Sequence, residues 1–132
     1  MKIVNLIAIA IGGAGGAFLR YKLNVSLLHS YYPVGTLVEN VLGSFLLGLL
    51  TAYFLHKTPK EWVKLGLGVG VCGGFTTFST LAADVIDLSL HMSLLSSLLY
   101  IVLSLFGGVG SALTGYVLGA ELGRRKKGVI VR

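Results

Sequence analysis

The chain has 132 residues, of which 55% are apolar, 12% are charged and 19 are glycine, and its formal net charge is +6. An ordinary soluble domain has about 25% charged residues and about 7% glycine, so this composition excludes most soluble folds and indicates a membrane protein. A helix needs about 20 apolar residues to cross a bilayer, so four spans nearly fill the chain. We therefore predict one four-helix membrane domain over residues 1–132.

The spans are predicted from runs with few or no charged residues. They cover residues 3–20, 34–55, 65–86 and 92–120, and residues 121–132 form a basic tail. Because every backbone amide in hydrocarbon needs a partner within its own segment, these runs are helical despite their glycines, and the fold class is all-α. The first run resembles a signal peptide, but it continues through glycine-rich sequence and three further spans follow. We therefore expect it to be retained as a span.

Lysine and arginine are distributed unevenly between the two sides that four spans create. Arg20 and Lys22 lie on one side, and nine basic residues lie on the other. By the positive-inside rule we expect both termini in the cytoplasm, in a protein of the cell membrane surrounded by lipid. The tail directly follows a span, so we interpret it as an orientation anchor and predict no nucleic-acid partner. The nine residues are Lys2, Lys57, Lys60, Lys64, Arg124, Arg125, Lys126, Lys127 and Arg132.

Small residues repeat at four-residue spacing in three of the spans. Such ladders let helices approach backbone to backbone, and they favour an oligomer because four short helices enclose little interior. The ladders consist of Gly12 and Gly16, of Gly66, Gly70 and Gly74, and of Gly107, Ser111, Gly115, Gly119 and Gly123.

Uncharged polar residues form one stripe along the second span and another along the fourth. Polar groups at membrane depth mark functional sites by default. A hydroxyl group can also bond to its own helix, but two whole faces of donors favour a lined pathway. The stripes consist of Thr36, Asn40 and Gly43 in the second span, and of Ser97, Tyr100, Ser104, Gly108 and Ser111 in the fourth.

The third span contains paired glycines followed by hydroxyl residues, in the order Gly73-Gly74-Phe-Thr76-Thr-Phe78-Ser79-Thr80. This pattern predicts a broken helix whose freed backbone groups line a cavity or hold an ion. Freed carbonyls suit a hard cation such as Na⁺, and freed N–H groups and hydroxyls suit a small anion. A glycine-rich packing kink is the structural alternative. The positive edge of the Phe78 ring can face an anion, and fluoride fits a site with several donors and no fixed charge.

Three charged residues in or beside the spans have more than one interpretation. Arg20 either draws anions into a vestibule or extends to the membrane interface. Asp84, at the end of the third span, lies at the interface or at a pore mouth. Glu39, inside the second span, is a proton-coupled carboxylate, a partner for a basic residue, or a group close enough to the surface to be solvated.

The chain resembles the CrcB family of Fluc-type fluoride channels in three segments that occur in family order. The third is the glycine and hydroxyl run of the third span, and it is the most specific. The resemblance implies an antiparallel dual-topology-type dimer of four-helix subunits with a broken third helix, two fluoride pores and passive export of cytoplasmic fluoride, which lowers fluoride toxicity. The first two segments are Gly12-Gly13-Ala-Gly-Gly16-Ala-Phe-Leu-Arg20-Tyr21 and Gly35-Thr36-Leu-Val-Glu-Asn40-Val-Leu-Gly43-Ser-Phe.

The resemblance also implies roles for single residues. The main-chain carbonyls of Gly73 and Thr76 would hold a central structural Na⁺, and Arg20 would draw anions into the vestibule. Asn40 would donate to fluoride, and Phe78 would be one wall of an aromatic box. The full set implied for the fluoride pathway is Asn40, Phe78, Ser79, Thr80, Tyr100 and Ser104.

Three features depart from the family pattern. Leu81 stands where a second aromatic-box Phe is usual, and Gly108 stands where a pathway Ser is frequent. The charge bias predicts a fixed orientation, whereas an antiparallel homodimer needs a chain that inserts both ways. The partner is therefore a second copy of this chain, or an oppositely oriented paralogue whose own aromatic box compensates for Leu81.

Three functions remain open on the sequence. The family segments favour a fluoride-selective channel, whereas a small proton-coupled exporter of the multidrug type would use Glu39 as its coupling carboxylate. A non-transporting assembly subunit would explain the glycine ladders but leave the polar stripes without a purpose. An enzyme is the least favoured class, because no nucleophile–base pair, carboxylate dyad or metal cluster occurs at useful spacing. The single Cys72 forms neither a disulfide nor a Cys-rich metal site within one chain.

Overall fold

The computed structural model describes residues 2–27 and 32–125. It contains four helical spans that are long and apolar enough to cross a membrane: α1 (Ile3–Ser26), α2 (Val34–Lys57), an interrupted third span (Glu61–His91) and a final long helix (Leu94–Arg125). The predicted number of four spans is thereby confirmed. The chain is an all-helical, multi-pass membrane protein.

The helices extend beyond the predicted spans. α1 continues past Arg20 to Ser26, so Arg20 lies inside the helix and not at its end. The last helix continues to Arg125 and includes the first part of the basic tail. The remaining tail, residues 126–132 with Lys126, Lys127 and Arg132, lies outside the described residues.

The third span is interrupted, as the paired glycines predict. Its first half consists of α3 (Glu61–Lys64), a π-helix (Leu65–Cys72) and α4 (Gly73–Phe75). Thr76 then has extended backbone, with φ −79° and ψ 156°, and α5 (Ser79–His91) forms the second half. The last span is α6 (Leu94–Arg125). A π-helix of this length is unusual, and hydropathy patterning does not predict it.

The tightest helix pairs are α1 with the first half of the third span, and α2 with α6. Glycine makes both approaches possible. A methyl group on Gly12 would meet the backbone oxygen of Gly66, and one on Gly115 would meet that of Phe45. The predicted close approach of helices is therefore confirmed. These ladders pack helices of one chain, however, so they do not supply the expected argument for an oligomer.

Large apolar side chains lie mostly on the outside of the bundle. Among the described residues, the buried apolar side chains are those of Ala52, Cys72, Leu88 and Tyr100, whereas exposed Leu, Ile, Val and Phe side chains occur on all four spans. Hydrocarbon covers such a surface at no cost, so a bundle in a bilayer is held together by backbone packing and polar contacts.

Candidate functional site

The break in the third span is bridged by a side chain from α2. Asn40 Nδ2 donates to the carbonyl oxygen of Thr77 at 2.9 Å, and the Thr77 backbone N–H donates to Asn40 Oδ1 at 2.8 Å. The amide side chain thus pairs with the backbone as a neighbouring strand would. Thr77 is buried, and these two bonds satisfy the polar groups that the extended backbone takes out of the helix.

The Thr77 hydroxyl begins the second half of the third span. It accepts the backbone N–H of Thr80 at 3.2 Å, and it lies 3.0 Å from the Thr80 hydroxyl. A threonine that accepts the N–H group three residues later acts as a helix N-cap, so Thr77 starts α5. Thr77 is not among the predicted site residues. The Thr-x-x-Thr spacing after the glycine pair is the sequence signal that points to it.

These bonds leave two carbonyl oxygens of the break without their helical donors. In a continuous helix, the N–H of Thr77 would bond to Gly73 and that of Thr80 to Thr76. Here those N–H groups bond to the Asn40 amide and to the Thr77 hydroxyl. Main-chain carbonyl oxygens are hard ligands of the kind that an alkali or alkaline-earth cation takes. The donor set at Gly73 and Thr76 therefore fits a Na⁺ ion chemically.

Arg20 approaches the same break from α1. Its Nη1 is 3.5 Å from the carbonyl oxygen of Thr76, which is a long and weak hydrogen bond. The half-buried guanidinium therefore places a positive charge beside the break. A carbonyl oxygen has two lone pairs, so this contact leaves the Thr76 oxygen able to accept another ligand.

A groove of about 500 Å³ lies beside the break and brings three of the predicted pathway residues together. They are Asn40, Phe78 and Ser104. Phe78 is 80% exposed in the single chain, whereas Ser104 is 5% exposed and its hydroxyl has no hydrogen-bond partner among the described residues. No charged residue lines the groove. Its other lining residues are Gly43, Ser44, Leu47, Gly73, Thr76, Thr77, Leu81, Leu105, Gly108 and Val109.

A second cavity, of about 250 Å³, is lined by Thr80 but by none of the other predicted pathway residues. Thr36, Asn24 and Asp84 also line it. Thr77 lines the groove, and its hydroxyl contacts that of Thr80, which lines the cavity. The hydroxyls of these two threonines thus contact each other between the wall of the groove and the wall of the cavity.

Tyr100 and Ser79 lie outside both spaces. Tyr100 is fully buried, and its hydroxyl donates to Asp84 Oδ2 at 2.8 Å. Its ring lies edge-on to that of Tyr32, with the ring centroids 5.7 Å apart. Tyr100 thus holds the Asp84 carboxylate in the wall of the second cavity. Ser79 is exposed, and its hydroxyl is 3.3 Å from that of Thr77.

Two serines of the fourth-span stripe connect helices. Ser97 Oγ donates to the carbonyl oxygen of Val85 at 2.9 Å, and Ser111 Oγ donates to that of Val41 at 2.6 Å. These bonds join α6 to α5 and to α2. The stripe is therefore not a continuous row of free donors. Within it, Ser104 is the residue whose buried hydroxyl lacks a partner in the part of the chain that the structure describes.

A family model described as "CrcB-like protein, Camphor Resistance (CrcB)" matches residues 7–116. The chain belongs to the CrcB family. The matched part of this CrcB-family chain runs from α1 to α6 and includes the break and the whole lining of the groove.

The CrcB-family chain is similar over most of its length to bacterial proteins named fluoride-specific ion channels. It is 56% identical over 123 residues to FluC 2 of Halalkalibacterium halodurans, covering 93% of this chain and 91% of the relative. It is 40% identical over 131 residues to FluC 2 of Bacillus subtilis, covering 98% of each. It is also 40% identical over 125 residues to FluC of Thermus thermophilus, covering 92% and 98%. The family resemblance of the three segments is thus confirmed.

Proposed function

We propose that this protein is a fluoride-selective channel of the cell membrane, through which cytoplasmic fluoride leaves by passive electrodiffusion. The observation that carries the proposal is the uncharged groove in which Asn40, Phe78 and Ser104 converge. A small, strongly hydrated anion needs several donors to replace its water, and a fixed positive charge among them would trap it. The relatives are named fluoride-specific ion channels, which supports the same ion and excludes an enzyme.

The donors of the groove suit a halide. Asn40 uses one N–H of its amide group on Thr77, and the second N–H remains for an anion. The Ser104 hydroxyl is buried without a partner among the described residues, and the Phe78 ring, whose edge is partially positive, lines the groove. We assign these three residues to the fluoride pathway.

The remaining pathway residues extend this route. The Thr77 and Thr80 hydroxyls lead from the groove to the second cavity, and Ser79 adds a hydroxyl beside them. Tyr100 contributes by fixing Asp84 in the cavity wall. Arg20 supplies the positive charge that raises the anion concentration near the break.

A second subunit is the proposed cover for Phe78. A phenyl ring that is 80% exposed next to polar groups leaves the groove with one wall missing. An antiparallel partner, with its own break against this one, would supply that wall and would add its carbonyls to those of Gly73 and Thr76 around one structural Na⁺. The partner is a second copy or a paralogue of opposite orientation. The charge bias and Leu81 are the reasons to consider the paralogue.

The exporter alternative has no support from the comparisons, because the relatives are named ion channels. Glu39 is fully enclosed in the bundle and lines neither the groove nor the second cavity. Among the described residues, Glu39 therefore does not contact either space in which a transported compound would bind.

The test is fluoride efflux from liposomes that contain the purified protein, measured with a fluoride electrode. We expect rapid efflux of fluoride and little of chloride, and a loss of more than tenfold for Phe78→Ile. Phe106→Ile is the matched control, because Phe106 is 75% exposed on α6 and lies outside the groove. Equal efflux of both halides would contradict the proposal. Well-folded protein without efflux that gains activity with a co-expressed paralogue would identify a heterodimer.

A further inference from the structure

Glu39 is the one buried charged side chain in the described part of the chain, and the pathway does not use it. It lies on α2 directly before Asn40, and its exposed fraction is 0%. Neither carboxyl oxygen has a hydrogen-bond partner among the described residues, and no ion pair joins it to a base there. A carboxylate anion without a donor is very unfavourable inside a membrane protein.

The groups that face Glu39 do not supply a donor. Arg20 on α1 and Asp84 on α5 act on it electrostatically, but the Arg20 guanidinium contacts the Thr76 carbonyl and Asp84 is a second acid. The Tyr100 hydroxyl on α6 already donates its hydrogen bond to Asp84. On the first half of the third span, the titratable group within the membrane is the buried thiol of Cys72.

The surroundings of the molecule do not supply a donor either. The Glu39 side chain is fully enclosed by its own chain, so it contacts neither lipid, nor bulk water, nor the surface on which a second subunit would pack. A metal cation would need several oxygen ligands, and no group of three or more His, Cys, Asp or Glu side chains occurs in the described residues. A proton needs only one carboxyl oxygen.

We propose that Glu39 is a buried proton-binding site, whose carboxyl group keeps its proton while the channel conducts. The proton stays in place and does not travel with fluoride. With Glu39 neutral, the positive charge of Arg20 is balanced by the negative charge of Asp84. Loss of the proton would add one negative charge directly beside Asn40 and oppose an anion in the groove. This consequence for conduction rests on the proposed fluoride channel, whereas the proton site itself does not.

The first experiment is infrared spectroscopy of the complete protein in liposomes. A protonated carboxylic acid gives a C=O stretching band that shifts in D₂O, and we expect the band in the wild type at neutral pH and its loss in Glu39→Gln. The exposed acid variant Glu121→Gln is the matched control and should keep the band. If Glu39→Gln does not fold, Glu39→Met replaces it. A carboxyl group that carries its proton is uncharged, so an apolar side chain of similar length should be tolerated in its place. A band that persists without Glu39 overturns the proposal.

The second experiment measures fluoride efflux from neutral to alkaline pH. We expect wild-type efflux to fall by about tenfold as Glu39 loses its proton, because one added negative charge near the groove opposes an anion there. Efflux of Glu39→Gln should stay constant, and that of Glu121→Gln should fall like the wild type. The same fall in Glu39→Gln would refute the link to conduction. Absence of efflux in every variant, with the infrared result intact, would refute the channel and leave the proton site standing.

Discussion

Asn40 and Thr77 exchange two hydrogen bonds, of 2.9 and 2.8 Å, across the gap between α2 and the broken third span. This relationship links the anion pathway to the helix break. The same side chain that offers an N–H to the groove also binds the Thr77 backbone outside the helix. As a result, the Gly73 carbonyl loses its helical donor. Asn40, which is expected to donate to fluoride, therefore also shapes the carbonyl groups that are expected to hold Na⁺.

Replacement of Asn40 by alanine removes both bonds, which leaves the buried carbonyl oxygen of Thr77 unpaired and frees the Thr77 N–H to return to the Gly73 carbonyl. We expect the variant to lose about 2 kcal/mol of stability, since an unsatisfied buried polar group costs about 1–3 kcal/mol, and to lose most fluoride efflux. Thermal unfolding in detergent, followed by the fluorescence of Trp62, measures the first effect. Asn5→Ala is the control, because the Asn5 amide nitrogen has no partner among the described residues. Equal stability of both variants would show that the two bonds do not form.

The effect of the Thr77 hydroxyl can be measured separately from that of its methyl group. Thr77→Val keeps the shape but removes the N-cap of α5, so we expect about 1 kcal/mol of destabilisation and reduced fluoride efflux. Thr77→Ser keeps the hydroxyl and should behave like the wild type in both measurements. An active, stable Val variant would mean that α5 begins without this cap.

Gly115 tests whether the small-residue ladder packs helices within one chain. A methyl group at this position would meet the backbone oxygen of Phe45, so Gly115→Ala should lower stability by about 2 kcal/mol, as overpacking does. Gly110→Ala is the matched control on the same helix, because nothing lies within 4 Å of the added carbon atom. Detergent thermal unfolding distinguishes the two. A Gly110 variant that is the less stable of the pair would instead place the critical contact outside the single chain.

Removal of Na⁺ should destabilise the protein if the freed carbonyls hold this ion. A ligand present at about 100 times its dissociation constant stabilises the folded state by about 2.7 kcal/mol, so replacement of sodium by N-methyl-D-glucamine should lower the melting temperature. The shift should be smaller in Asn40→Ala, because the freed Thr77 N–H can return to the Gly73 carbonyl. Asn5→Ala should keep the full shift. Full stability in a sodium-free buffer would exclude a structural role for the ion.

The fold could be predicted from the sequence because its causes are local. Hydropathy locates four spans, and the pair Gly73-Gly74 marks the interruption of the third. The π-helix and the use of Ser97 and Ser111 could not be predicted, because they depend on which helix lies opposite. The same applies to Thr77, whose role as a cap is local but whose bonds to Asn40 cross between spans.

The sequence predicts which residues form the candidate site better than it predicts which groups those residues bond to. The polar stripes point to Asn40 and Ser104, and the structure brings both into one groove with Phe78. Sequence spacing alone does not distinguish a hydroxyl that faces this groove from one that binds a carbonyl of the next helix. It also leaves three interpretations open for Glu39. The full enclosure of its side chain argues against the one in which the carboxylate is solvated near the membrane surface.

The pairing of helices also determines the order in which this protein can be built. α1 packs against the third span and α2 packs against α6, so neither tight pair joins neighbours in sequence. The fourth helix in chain order, α6, is the one that covers Gly48 of α2, whose backbone lies against Ala112. Until α6 has entered the bilayer, that face of α2 borders lipid or the translocation machinery. The bundle therefore cannot be completed before α6 is inserted, and a chain truncated before α6 should be recognised as unfinished by membrane proteases.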